Sequence, residues 1–470
     1  MILRLAGLLL AVACAGATPL DARANNIPLP PTVDPFYVPP AGWETAEPGT
    51  ILASRSIQAG FTTTQKMNLQ SAYQLLYRTS GTAPTEPMYT VTTILVPHNA
   101  HTNKLVLALP YEDSNYVMCS PSYKIQLNAA ISVNAVQTLE ELLWTSVLND
   151  GWIMTIPDHE GPLSAFSSGF LEGHASLDAA RATLKFDELK MDPKAPIVGT
   201  GYSGGAIAGG WAASLHDTYA PELNMAGWAL GGTPSNLNAT FYSLDGGLFS
   251  GFVAAGLAGV VDSYPVAQEY VGGVITEQGN VALQYTRENC MAEIIVGLQG
   301  VNLLNQTIVK NSAEFLKAKV IQGLLHTLSM GSNATLTPKA PVYMYHAVHD
   351  EVIAYGMANE TARQWCNNGA NVEFQSFTGL EMGHISTEAL NTPFVLAFIR
   401  DRMAGKSFQA GCKWTWAVDP LWQPSILGAR LTEVLNAVMN LFGAEIGKGD
   451  QTFKESISQN TFGSKKKGQA

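Results

Sequence analysis

The sequence predicts an α/β fold: a mostly parallel sheet flanked by helices, with an inserted helical segment. Three observations carry that expectation. From Met88 onward short β-rich runs alternate with helix-like stretches, the rhythm of strands joined by crossover helices. Gly201-Tyr202-Ser203-Gly204-Gly205 places a serine between a short apolar run and a helix-like segment, the layout of a sharp strand-to-helix turn. Hydrophobic residues make up 46% of the 470 residues and charged residues 14%, enough for a large core and too apolar for long disordered tracts.

Along the chain, residues 1–24 read as a secretory signal. Arg4 supplies a positive n-region, residues 5–17 an apolar h-region, and Ala15-Gly16-Ala17 or Ala22-Arg23-Ala24 a small-residue cleavage site. Cys14 matches a bacterial lipid-attachment cysteine only faintly, because Ala11 stands where leucine is required. Residues 25–60 are expected as an extended arm, since residues 25–48 carry seven prolines. Residues 61–234 form the first part of the core, with strand-like runs at 89–96, 105–109, 152–156, 196–198 and 227–230. Segments 176–191 and 206–215 are long enough for crossover helices. After Gly231-Gly232-Thr233-Pro234 the strand signal stops, and residues 235–338 are expected as a helical cap over the site. Residues 339–420 resume the sheet pattern with runs at 342–345 and 372–377. Residues 421–470 hold a helical pattern at 431–442 followed by Gly443, Gly447 and Gly449, a movable flap or a packed terminal helix with a polar tail.

Composition also excludes. A net charge of −11, with Lys465-Lys466-Lys467 as the one basic run, argues against a nucleic-acid partner. No run after the signal reaches the roughly 20 apolar residues of a membrane span; the nearest, residues 246–261, reads as a buried or lid segment. Beyond the signal stand Cys119, Cys290, Cys366 and Cys412; an even count in a secreted chain implies two disulfides, with three connectivities open. They lack the close spacing of a zinc site, so no metal is expected, and no cofactor. Sequons at Asn238, Asn305, Asn333 and Asn359 suit a secretory route. The expected location is extracellular, free or held at the cell wall.

The chemistry rests on Ser203. With 43 glycines in the chain, G-x-S-x-G arises by chance in about one such chain in four, so context decides it. A serine hydroxyl needs a histidine base, and the histidine needs a carboxylate to fix its tautomer. The apolar run at 342–345 leads to Asp350, the candidate acid, with Glu351 as its rival; the run at 372–377 leads to a glycine-flanked His384, the candidate base. The chain order Ser203, Asp350, His384 matches the α/β-hydrolase order and not that of chymotrypsin or subtilisin. His346 and His349 sit too near the acid to be its base and read as structural or solvent-facing; His159 and His174 precede the nucleophile and suit supporting roles. An oxyanion hole needs two donors. Gly204, next after the nucleophile, supplies one from a helix start. The loop after the run at 105–109 supplies the other, and Asp113 is the candidate, through its backbone N–H with the carboxyl turned away or protonated.

These residues resemble the fungal secretory lipases of the lipase A type, over nearly the whole mature chain from Asp34. The resemblance is carried by segments 34–43, 48–52 and 111–114, by Cys119-Ser-Pro-Ser-Tyr123 and Pro157-Asp-His-Glu-Gly-Pro162, and by 173–178, 201–205 and 219–223. It implies an α/β-hydrolase core with a helical cap and a C-terminal flap, and cleavage of triacylglycerol esters. It also implies Ser203, Asp350 and His384 as the triad, Asp113 and Gly204 as oxyanion donors, and disulfides Cys119–Cys290 and Cys366–Cys412. The expected partner is a lipid ester, met at a lipid–water interface. The sequence-level alternatives are an esterase or deacetylase of a small metabolite, a peptidase, and a hydrolase-fold binding protein without catalysis.

Overall fold

The computed structural model describes residues 27–131, 135–379, 382–417 and 446–447. The expected signal, residues 1–24, and the helical pattern at 431–442 lie outside them. Twelve strands are described: β1 (Ile51–Ser56), β2 (Gly60–Phe61), β3 (Gln65–Lys66), β4 (Ser71–Ser80), β5 (Pro87–Val96), β6 (His101–Leu109), β7 (Trp152–Pro157), β8 (Ile197–Tyr202), β9 (Met225–Gly231), β10 (Val342–Ala347), β11 (Val372–Phe377) and β12 (Cys412–Ala417). Ten of them form one sheet in the order β1-β4-β5-β7-β6-β8-β9-β10-β11-β12. From β7 to β12 every pairing is parallel, and β1, β4 and β5 add an antiparallel edge.

A parallel sheet needs helices on both faces, because its crossovers must return over one face or the other. On one face lie α3 (Gly169–Lys185) and α4 (Gly204–Tyr219), preceded in the chain by α1 (Pro121–Lys124) and α2 (Ala135–Asn149). In β6, Leu105, Leu107 and Leu109 join one core with Leu177, Ile207 and Trp211, while Val106 and Ala108 point into the other with Val147, Leu148, Leu396 and Ile399. All five β6 residues are at most 1% exposed, and each large apolar side chain so buried stabilises the fold by about 1.5–3 kcal/mol.

Between β9 and β10 the chain leaves the sheet for seven helices: α5 (Leu237–Leu244), α6 (Ser250–Ser263), α7 (Pro265–Val274), α8 (Glu277–Thr286), α9 (Met291–Gly297), α10 (Ser312–Phe315) and α11 (Lys319–Thr327). The segment is tied internally by Asp245, which accepts from the Leu303 and Leu304 amides, and by the two-pronged Arg287–Asp262 pair. It touches the core beside the loop after β6, where the Asn115 amide donates to Thr286 O and Ser114 Oγ to Asn289 O. The core resumes with α12 (Tyr355–Asn367) and α13 (His384–Met403).

Three strands of the large sheet lay outside the sequence expectation, as did the short β2–β3 pair. β1 sits within residues 25–60, expected as an arm, and pairs with β4 along its length. β4 carries buried polar side chains that obscure its pattern; Gln74 and Thr79 are fully buried, and Thr79 Oγ1 donates to Asp178 Oδ2 at 2.7 Å. β12 is an edge strand with alternating polar and aromatic residues, held to α12 by the Cys366–Cys412 disulfide. The second disulfide, Cys119–Cys290, joins the loop after β6 to the inserted helices across 171 residues of chain.

Loop-closure entropy makes the longer loop the costlier to release. In the chain-entropy model, closing the 171-residue loop is worth about 5 kcal/mol and the 46-residue loop about 4 kcal/mol. Replacing Cys119 and Cys290 together by serine is therefore expected to lower unfolding stability in denaturant titrations more than the same change at Cys366 and Cys412.

Candidate active site

Ser203 ends β8 and opens α4, with backbone angles of φ 51° and ψ −120°. A non-glycine residue adopts such angles only where its surroundings over-determine them. Here they do. A Cβ at Gly201 would lie 2.3 Å from Gly205 O, and one at Gly205 would lie 1.9 Å from Leu109 O. The glycines on either side of the serine are thus a steric requirement of the turn, which drives the first turn of α4 against the ends of β6 and β8.

The three candidate residues come together in line. Ser203 Oγ lies 2.9 Å from His384 Nε2, and His384 Nδ1 lies 2.7 Å from Asp350 Oδ2. Donation from Nδ1 to the carboxylate leaves Nε2 as the acceptor of the serine proton. Asp350 follows β10 and its side chain is fully buried; that of His384 is 8% exposed.

Asp350 receives four donors. The Val352 and Ile353 amides bond Oδ1 at 2.9 and 2.7 Å, and His384 and His346 approach Oδ2 at 2.7 and 3.2 Å. Burial opposes its ionisation, but the adjacent His384 and the histidine hydrogen bonds outweigh burial and hold the carboxyl well below the usual range. His346 is fully buried and shares its Nε2–H between Ile353 O and this carboxylate. Its position four residues before the acid was the available signal.

Glu351, the rival acid, instead accepts from the His384 backbone amide at 2.9 Å. Tyr202, inside the glycine-flanked motif, donates to His384 O at 2.6 Å and places its ring 4.9 Å from the imidazole. The histidine is therefore held at its amide, its carbonyl and both ring nitrogens. Neither role was visible in sequence.

The loop after β6 brings Asp113 to the elbow. Its φ of 52° lies in the left-handed region, which Asp tolerates better than most residues. Its Oδ1 packs directly on Gly204, 1.9 Å from where a Cβ would stand. Gly204 is the first residue of α4, so its amide lies outside the helical ladder. The Asp113 amide lies against the Glu160 carboxyl, in a looser geometry than a full hydrogen bond, so the side chain of Asp113 is the part that faces the elbow. Burial, eased by Lys124, pushes its carboxyl up to about 7 and that of neighbouring Glu112 to about 8. Burial also raises Glu388, on the helix that begins with His384, to about 8. His159 and His174 are buried and lowered to about 4; His159 Nε2–H donates to Pro110 O and His174 Nδ1 bonds Gly81 O.

These shifts set a pH dependence of stability. Folded-state carboxyls with raised values hold protons that the unfolded chain releases, so their contribution is complete below about pH 4 and is lost as pH rises through about 7–8. The two buried histidines act oppositely, but only below about pH 6.5, above which they are neutral in both states. Melting temperature is expected to fall between pH 6.5 and 8.5, with a shallower slope for Glu112→Gln; a flat or rising profile in thermal scans contradicts this.

Known proteins resemble this chain along most of its length. A family model described as secretory lipase matches residues 125–411. A secreted triacylglycerol lipase of Malassezia globosa is 63% identical over 445 residues, covering 95% of this chain and 94% of that protein. One of Malassezia restricta is 42% identical over 448 residues, covering 95% of each. Among solved structures, Candida antarctica lipase A in its closed state superposes with a TM-score of 0.76 at 26% identity, covering 89% of this chain and 99% of that one.

Proposed function

Because this chain belongs to the secretory lipase family, we propose that it is a secreted serine lipase that hydrolyses triacylglycerols through an acyl-enzyme on Ser203. The observation that carries the chemistry is the unbroken hydrogen-bonded line from Ser203 through His384 to Asp350. The substrate class is taken from the named activity of the Malassezia relatives.

In this reading Ser203 Oγ attacks the ester carbonyl while His384 Nε2 takes its proton. Asp350 holds the imidazole in the Nδ1–H tautomer and stabilises the imidazolium. The negative charge that develops on the carbonyl oxygen is met by the Gly204 amide and by Asp113, whose carboxyl lies beside Gly204 and, when protonated, can donate an O–H. His384 then gives its proton to the departing alcohol, and water, activated by the same imidazole, releases the fatty acid. No step calls for a metal or cofactor. The sequons at Asn305 and Asn333 are exposed and suit glycan attachment, whereas Asn359 Oδ1 accepts from Trp414 Nε1.

Ser203→Ala is expected to lower kcat by about 10⁵–10⁶-fold and Asp350→Asn by about 10⁴-fold, with KM little changed. Hydrolysis of a long-chain triacylglycerol emulsion is expected to exceed that of a short soluble ester. Retained activity in Ser203→Ala defeats the mechanism; preference for the soluble ester defeats the lipase assignment in favour of a small-ester esterase.

A further inference from the structure

Beneath the loop that carries Asp113 lies a group of buried acids drawn from three elements: Glu112 and Asp113 after β6, Glu160 after β7, and Glu172 on α3. None is more than 3% exposed. Glu112 Oε2, Asp113 Oδ1 and both carboxyl oxygens of Glu160 and of Glu172 lack a donor among the described residues. Glu172 lies against the Ser167 and Ser168 amides, as Glu160 does against that of Asp113, but without full hydrogen-bond geometry. Four carboxylates so placed would be uncompensated buried charges, which a fold does not sustain.

His159 shows where a proton goes. Its Nε2–H donates to Pro110 O at 2.7 Å, so its Nδ1 is the acceptor nitrogen. That Nδ1 has no donor among the described residues, and a carboxyl oxygen, Glu172 Oε2, lies 3.8 Å from it. That separation exceeds hydrogen-bond length, but a small rotation of the Glu172 side chain would bring an O–H to Nδ1 and fix the tautomer that grips Pro110, the first residue after β6. Glu160 lies among Glu112, Asp113 and Glu172, with the Asp113 amide near its carboxyl.

We propose that Glu172, acting through His159, and Glu160 are positioning residues that work as hydrogen-bond donors, clamping the Pro110–Asp113 loop so that Asp113 meets the oxyanion. This rests on the reading of Asp113 as an oxyanion donor. The other groups facing the cluster are Asp158, which is occupied by Ser122, Lys124 on α1, Tyr264 at the start of α7, and, beside Asp113, Tyr111, Glu140 on α2 and Glu388 on α13. Lys124 is the one cation among them and cannot neutralise four carboxylates. Raising the pH strips the donors, places negative charge behind a site that must stabilise negative charge, and frees the loop.

The test is the pH profile of kcat/KM for a soluble butyrate ester, measured on the full chain. A glutamine keeps a donor at every pH, so Glu172→Gln and Glu160→Gln are each expected to move the alkaline limb upward by about one pH unit. Glu172→Ala is expected to lose about 10- to 100-fold in kcat with little change in KM. A purely structural role would lower the melting temperature and leave the limb in place. Alkaline limbs unmoved in the glutamine variants, or a wild-type kcat in Glu172→Ala, overturn the proposal; if one glutamine variant fails to fold, the other decides. Asp113→Ala separates the two levels: a wild-type kcat there overturns the oxyanion reading itself, whereas an impaired Asp113→Ala beside unmoved limbs overturns only the clamp.

Discussion

The closest backbone approach at the centre of the sheet governs the rest of the site. Because Gly205 abuts Leu109 O and Gly201 abuts Gly205 O, the first turn of α4 is pressed onto the ends of β6 and β8. That contact fixes three things together: the left-handed backbone at Ser203, the exposure of its hydroxyl toward His384, and the distance from the Gly204 amide to the loop after β6. A methyl group at either glycine would push the helix away from the strands and separate all three. Strain at the serine is held by the packing around it and not by the serine itself.

Two carboxylate environments of opposite kind sit on either side of that turn. Asp350 is buried yet ionised because four donors meet its two oxygens. Glu160 and Glu172 are also buried and meet none with full geometry. Burial penalises charge in both places; the supply of donors decides which side stays ionised. A serine hydrolase needs this asymmetry, since positive charge must be stabilised on the histidine while negative charge is stabilised at the ester oxygen.

The parts legible in sequence were those whose requirement is local. Gly201 and Gly205 are demanded by one turn, and Asp350 and His384 each follow a short β-rich run, apolar at 342–345 and alternating at 372–377. The paired glycines after β9 and the loss of strand signal marked the insertion. What stayed hidden depends on contacts far apart in the chain. β4 is masked by Gln74 and Thr79, which donate to Ser122 O and Asp178, 48 and 99 residues away. Glu160 and Glu172 are written in the same letters as surface acids, and only the folded arrangement shows them stacked behind Asp113. Glu351 stood beside the acid as its rival, and its true partner, the His384 amide, becomes a neighbour only when α13 docks.

The Cys119–Cys290 bond bears on how the inserted helices can move. Their two chain connections, leaving β9 and entering β10, would alone act as the two pins of a hinge and leave one free rotation. The disulfide adds a third pin at the loop after β6, two strands away from β9 across the sheet, and the Ser114 and Asn115 hydrogen bonds reinforce it. The insertion therefore behaves as a bolted bracket and not as a door. The edge of the insertion nearest Asp113 is thereby held in register with the loop that carries it.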